Sequence, residues 1–96
     1  MKDKKIVLNN NEYKIIRNDE DCFDKDLIQE RIAETDYFDN YDYIMGDFAY
    51  DKVRLKGYYN SNNKNVNKIN DYKTIDDYIE NYCQKGSRIF ILEKLK

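Results

Sequence analysis

Asp47, Arg54, Lys56 and Tyr58 place a carboxylate, two cations and a phenol within one short stretch of chain, with Tyr43 just ahead of them. Gathered on one face of a rigid sheet, such a set can hold a phosphate, a carboxylate or a nucleotide, because sheet-borne side chains are already oriented for a ligand. The same residues also suit plain cross-strand charge pairing, worth roughly 0.2 to 1 kcal/mol per pair. Asp47 interrupts an apolar run and needs a polar partner under either reading. Asp47, Arg54, Lys56, Tyr58 and Tyr43 are therefore the expected binding residues.

Ten tyrosines and four phenylalanines raise a second possibility, base stacking, with Tyr41, Tyr43, Tyr58 and Tyr59 beside Arg54 and Lys56. Against it stand a net charge of -2 and the ordinary use of tyrosine in strands. Catalysis has less to build on. Without histidine the usual neutral-pH proton shuttle is missing, and neither Ser61 nor Ser87 sits in a nucleophile motif. Cys83 falls on an apolar helical face, where a thiol stays inert, and Asp76-Asp77 is explained by first-turn helix charge.

No EF-hand or HExxH spacing is present, and the two cysteines form no CxxC pair. No metal and no cofactor is expected, and Cys22 and Cys83 are read as free, packed thiols. Only three apolar residues, Ile6 to Leu8, follow the charged start, too few for a signal core or a membrane span. The expected location is the cytoplasm, with no membrane partner and a monomer or weak homo-oligomer in solution.

The elements that must position these residues follow from spacing. The 96 residues suit one domain, 1–96. Ile6 to Leu8 and Tyr13 to Arg17 form a hairpin about the asparagines at 9 to 11, which tolerate the left-handed backbone of tight turns. Phe23, Leu27, Ile28 and Ile32 recur at helical spacing, predicting a helix from Asp21 to about Thr35 with acids crowding its start. Thr74 caps a second helix, Ile75 to Cys83, in which Ile75, Tyr78, Ile79 and Tyr82 share the core face. Gly86 stops it, and Arg88 to Leu95, with Ile89-Phe90-Ile91-Leu92 unbroken, suits a central strand covered on both faces. The loop from Asn60 to Asn70 is polar, with a further edge strand through Val66 to Ile69.

Tyr43 to Tyr50 and Val53 to Tyr59 form the central hairpin, with Asp51 and Lys52 as its turn. In that register Tyr50 faces Val53, Phe48 faces Leu55, Gly46 faces Gly57 and Ile44 faces Tyr59, which collects nearly every apolar side chain on one face. Met45, Asp47, Ala49, Arg54, Lys56 and Tyr58 take the other, Asp47 directly across from Lys56. The paired glycines either open a slot or let an aromatic ring approach the sheet. The fold class is α+β, a mainly antiparallel sheet with two helices in the order β-β-α-β-β-(β)-α-β.

The run Tyr41-Asp42-Tyr43-Ile44-Met45-Gly46-Asp47-Phe48-Ala49-Tyr50, followed by Val53-Arg54-Leu55-Lys56-Gly57-Tyr58-Tyr59, is similar to the signature of the YutD-like family of bacteria. The likeness continues through Ile75-Asp76-Asp77-Tyr78-Ile79 and Tyr82-Cys83 to Gly86 and the last strand, and holds only in layout before that run. The family usually has tryptophan at Phe48 and often a second cysteine at Ser87, so no paired-thiol role carries over. The resemblance implies an α and β fold and no established activity. The residues favour a non-catalytic binding module recognising a protein or ribonucleoprotein through the central hairpin. RNA or ribosome association is the alternative, and a small enzyme acting on a charged metabolite the third.

Overall fold

A computed structural model describes residues 4–33, 35, 37–49, 52–83 and 85–95. Strands β1 (Lys4–Leu8), β2 (Asn11–Asn18), β3 (Tyr43–Ala49), β4 (Lys52–Tyr58) and β5 (Arg88–Lys94) form one antiparallel sheet in the order β1-β2-β5-β3-β4. Helices α1 (Lys25–Ala33) and α2 (Ile75–Tyr82) cover opposite faces. The α+β class and the central place of the last strand are as expected.

The alternation of β5 explains its position. Phe90 and Leu92 bury under α1 against Ile28, Ile32 and Ile44, while Ile89 and Ile91 bury under α2 against Met45, Tyr58 and Ile75. A strand apolar on both faces is stable only between two covered layers.

The first hairpin turns on Asn9 and Asn10, both with positive φ (52° and 67°), the conformation of a two-residue type I′ turn. Asn9 does more than turn. Its Nδ2 donates to Thr35 O and to Asp39 Oδ1, each at 3.2 Å, tying the hairpin to the segment after α1. Asn10→Gly is therefore expected to raise stability by about 0.5 kcal/mol, since glycine suits the second turn position. Asn9→Gly should instead lower it by about 1 kcal/mol through the lost hydrogen bonds. Urea melts of the two variants against the parent check the opposite signs.

Four expectations need correction. The first helix starts at Lys25, because Asp24 Oδ1 accepts from Leu27 N (3.2 Å) and Asp19–Asp21 is a separate 3-10 turn with Glu20 and Asp21 at positive φ. Thr74 makes no side-chain cap. Its Oγ1 donates to Asp71 O (2.7 Å), and Asp71 caps a 3-10 turn, Tyr72–Thr74, that leads into α2.

No strand forms at Val66 to Ile69, because asparagine side chains take the backbone donors. Asn60 Oδ1 accepts from Asn62 N, Asn63 Oδ1 from Asn65 N, and Asn67 Oδ1 from Ile69 N. Asp42 Oδ2 anchors this loop, accepting from Asn60 N at 2.7 Å and Asn63 Nδ2 at 3.0 Å.

The fourth correction is the register of the β3–β4 hairpin, which is slipped by two residues. Phe48 pairs with Val53, Gly46 with Leu55, Ile44 with Gly57 and Asp47 with Arg54, so Lys52 lies in β4 opposite Ala49. Of the expected turn, Asp51 and Lys52, the first lies outside the described residues, as does Tyr50, which was expected to face Val53. The glycines are not opposite each other, and each accommodates a different ring. A Cβ on Gly46 would stand 2.1 Å from Phe90 Cζ, and one on Gly57 would stand 2.2 Å from Tyr41 Cδ2. Two non-local rings, rather than a glycine pair, hold the register.

Candidate functional site

The face of β3 and β4 that carries Asp47, Arg54, Lys56 and Tyr58 is the face α2 covers. Its helix presents Ile75, Tyr78 and Ile79, with Cys83 just beyond its end, to Tyr43, Met45, Tyr58, Ile89 and Ile91. The five expected binding residues are thus brought together, but not all at the surface.

Asp47 is 1% exposed and Tyr58 0%, and Tyr43 is buried. Asp47 Oδ2 accepts from Arg54 Nη2 at 2.8 Å and Nε at 3.2 Å, while its Oδ1 has no hydrogen-bond partner among the described residues. The carboxylate also lies close enough to Cys83 to act on its thiol. Burial first, and then the Asp47 charge, push that thiol up, so it stays protonated. Cys22 packs into the α1 layer and is likewise raised by burial. Both cysteines are free.

Arg54 belongs to the outside. Its side chain is 52% exposed, and the hydrogen bond it donates to Asp47 raises its pKa further, so the guanidinium lies fixed in its charged form beside Tyr82 O (3.4 Å). Lys56 donates to Ile69 O at 2.7 Å and sits 4.3 Å above the Tyr58 ring and 5.3 Å from that of Tyr78. Burial lowers the pKa of this ammonium. Tyr43 stacks on Tyr72 with centroids 3.7 Å apart.

Arg54 and Lys56 lead to two residues that the sequence reading did not single out. Tyr82, assigned there to the core face of the second helix, is 70% exposed and packs on Tyr78 at 5.3 Å. Ile69 is 74% exposed. Helical spacing alone placed Tyr82 inside, but α2 ends there, beside Arg54 on the outermost strand. Ile69, Lys56, Arg54 and Tyr82 form one strip along the outer strand β4, two apolar groups flanking two cations.

The stacking set divides. Tyr43 and Tyr58 lie beneath α2, whereas Tyr41 covers Gly57 on the other face and packs against Tyr59 at 4.7 Å. Among the described residues no three Cys, Asp or Glu side chains come together as metal ligands, and no helix is long and apolar enough to cross a membrane.

The tyrosines under α2 make the fold sensitive to alkali. Burial raises the phenols of Tyr58, Tyr43, Tyr72 and Tyr78, and on the other face Tyr13 is pushed up to about 12. A phenol whose folded pKa exceeds the ordinary 10.0 stabilises the fold fully below that value, and the contribution is lost as pH rises through the folded pKa. Stability is expected to begin falling near pH 9, where the raised thiols first count, and to fall more steeply above pH 10, with Tyr13 alone accounting for about 2 kcal/mol by pH 12. Urea unfolding followed across that range, with phenolate absorbance as a second signal, tests it. A flat profile to pH 12 would contradict the burial of these rings.

Residues 7–93 match the family described as "Putative antitoxin YutD-like". The chain is 32% identical over 91 residues to the protein "Putative antitoxin YutD" of Bacillus subtilis (strain 168), spanning 95% of this chain and 98% of that one. It also superposes on the solution NMR structure of protein yutD from B. subtilis with a TM-score of 0.76 and 31% identity, covering 97% of this chain and 83% of that one.

Proposed function

The chain belongs to the YutD-like family, and from that premise we propose that it is a non-catalytic cytoplasmic module that binds a protein partner across the outer edge of β4. The observation that carries this reading is the strip of Ile69, Lys56, Arg54 and Tyr82, with the buried Asp47 behind it holding Arg54 in place. Tyrosine and arginine are the residues that most often dominate protein interfaces, and a guanidinium fixed before contact loses less entropy on binding. Asp47, Tyr58 and Tyr43 act as its support and do not touch the partner. The Bacillus subtilis relative carries the name "Putative antitoxin YutD", and an antitoxin that works by binding its toxin needs such a contact surface.

Ribonucleoprotein or RNA binding through the same strip is supported less, because the four tyrosines that would stack bases are split between the two faces of the sheet. Affinity purification of the tagged chain with and without RNase separates the two. A partner that survives RNase and is lost in Arg54→Glu and in Tyr82→Ala, with the variants folded by circular dichroism, supports the protein reading. Release of everything by RNase, or undiminished capture by both variants, would end it.

A further inference from the structure

The outer edge of β4 carries a second kind of information, its unbonded backbone. Tyr59 donates its N–H to Asn70 O (2.7 Å) and accepts from Tyr72 N (2.9 Å), so its peptide groups point away from β3, onto residues 70–72. Tyr59 and Asp71 thereby form a parallel bridge, one residue of added strand supplied by the chain itself. Backbone groups alternate sides along a strand, so Gly57, Leu55 and Val53 turn N–H and C=O toward the same outer edge, where Gly57 is buried and Leu55 and Val53 are half-exposed. No hydrogen bond joins those groups to any described residue.

Side chains along this edge are arranged in two rows. Lys52, Arg54 and Lys56 occupy the α2 side, and β4 carries no acidic residue. Val53 and Leu55 occupy the other side, packed against the α1 core and half-exposed at its margin. Cations on an edge strand commonly guard it against pairing. Here Arg54 is laid back onto Asp47, and Lys56 over the rings of Tyr58 and Tyr78 and onto Ile69 O, which leaves the backbone edge uncovered at Val53 and Leu55.

A second copy of this chain is a poor occupant, because two β4 edges side by side would bring cation against cation. An acidic strand is complementary. We infer that the partner adds an extended segment to β4 as a sixth strand, its residues alternating acidic groups over Lys52, Arg54 and Lys56 with apolar groups beside Val53 and Leu55. This rests on the protein-binding reading above and names its mode: backbone bonds supply the hold, and the two rows supply the register.

The test uses a capped heptapeptide of alternating glutamate and valine, with lysine replacing glutamate as the control. Added to the full chain, the glutamate peptide is expected to slow amide exchange at Val53 and Leu55 at least tenfold, and the lysine peptide to leave it unchanged. Val53→Pro removes an outward N–H without breaking a β3–β4 bond, so it should keep the fold and weaken binding about tenfold. If that variant does not fold, the exposed change Lys52→Glu takes its place, with a loss of about threefold expected. Protection elsewhere than β4, equal binding of both peptides, no binding, or an undiminished effect in the folded variant would each overturn the inference. A captured partner lost in Arg54→Glu but retained in Val53→Pro would leave the contact surface standing and remove strand addition alone.

Discussion

Gly46→Ala is expected to destabilise the fold by about 3 kcal/mol, at the upper end of what a single added methyl costs in a packed core. The new Cβ would stand 2.1 Å from Phe90 Cζ and 2.3 Å from Cε2, so something must move. Phe90 has nowhere to go. It is fully buried on the central strand, edge-to-face with Phe23 at 5.1 Å and 6.0 Å from Phe48. Urea melts should show a lower midpoint with an unchanged slope. The cause is checked by pairing the change with Phe90→Leu. If ring contact is responsible, the double variant is more stable than the sum of the two single changes by at least about 1 kcal/mol, and simple additivity would refute that cause.

Arg54→Ala is expected to cost about 2 kcal/mol. Removing one partner of a buried ion pair strands the other charge, typically for 3 to 5 kcal/mol, and the half-exposed position of Arg54 lets water relieve part of that. Asp47 is left with neither oxygen bonded to a described residue, in a site that is 1% exposed. Asp47→Asn in the same background removes the stranded charge and should recover at least half of the loss. If the double variant is no more stable than Arg54→Ala alone, Asp47 is not the source of the cost.

The element types were legible in the chain because their signals are local. The unbroken Ile89-Phe90-Ile91-Leu92 run marks a strand covered on both faces, and the asparagines at 9 and 10 mark a tight turn. The β3–β4 register was not legible to the residue. Side chains alternate with period two, so a slip of two leaves every residue on its predicted face and only changes who sits opposite whom. What selects the true register is the fit of Phe90 over Gly46 and Tyr41 over Gly57, contacts that no inspection of the hairpin alone contains.

The candidate site was legible in membership and not in exposure. Asp47, Arg54, Lys56, Tyr58 and Tyr43 do share a face, yet alternation is silent about which helix comes to rest there. Once α2 covers it, burial sorts the set into supports and contacts. Tyr82 was misplaced for the complementary reason: helical periodicity does not say that α2 ends at Tyr82, beside the outermost strand.

The place of β5 between β2 and β3 also bears on how a cell makes this protein. The ribosome releases residues 88–94 last of the five strands, and until then the two hairpins have no shared neighbour to bond to. The sheet is therefore completed only after nearly all of this sequence has been synthesised, and a growing chain exposes the inner edges of both hairpins to chaperones and to other nascent chains.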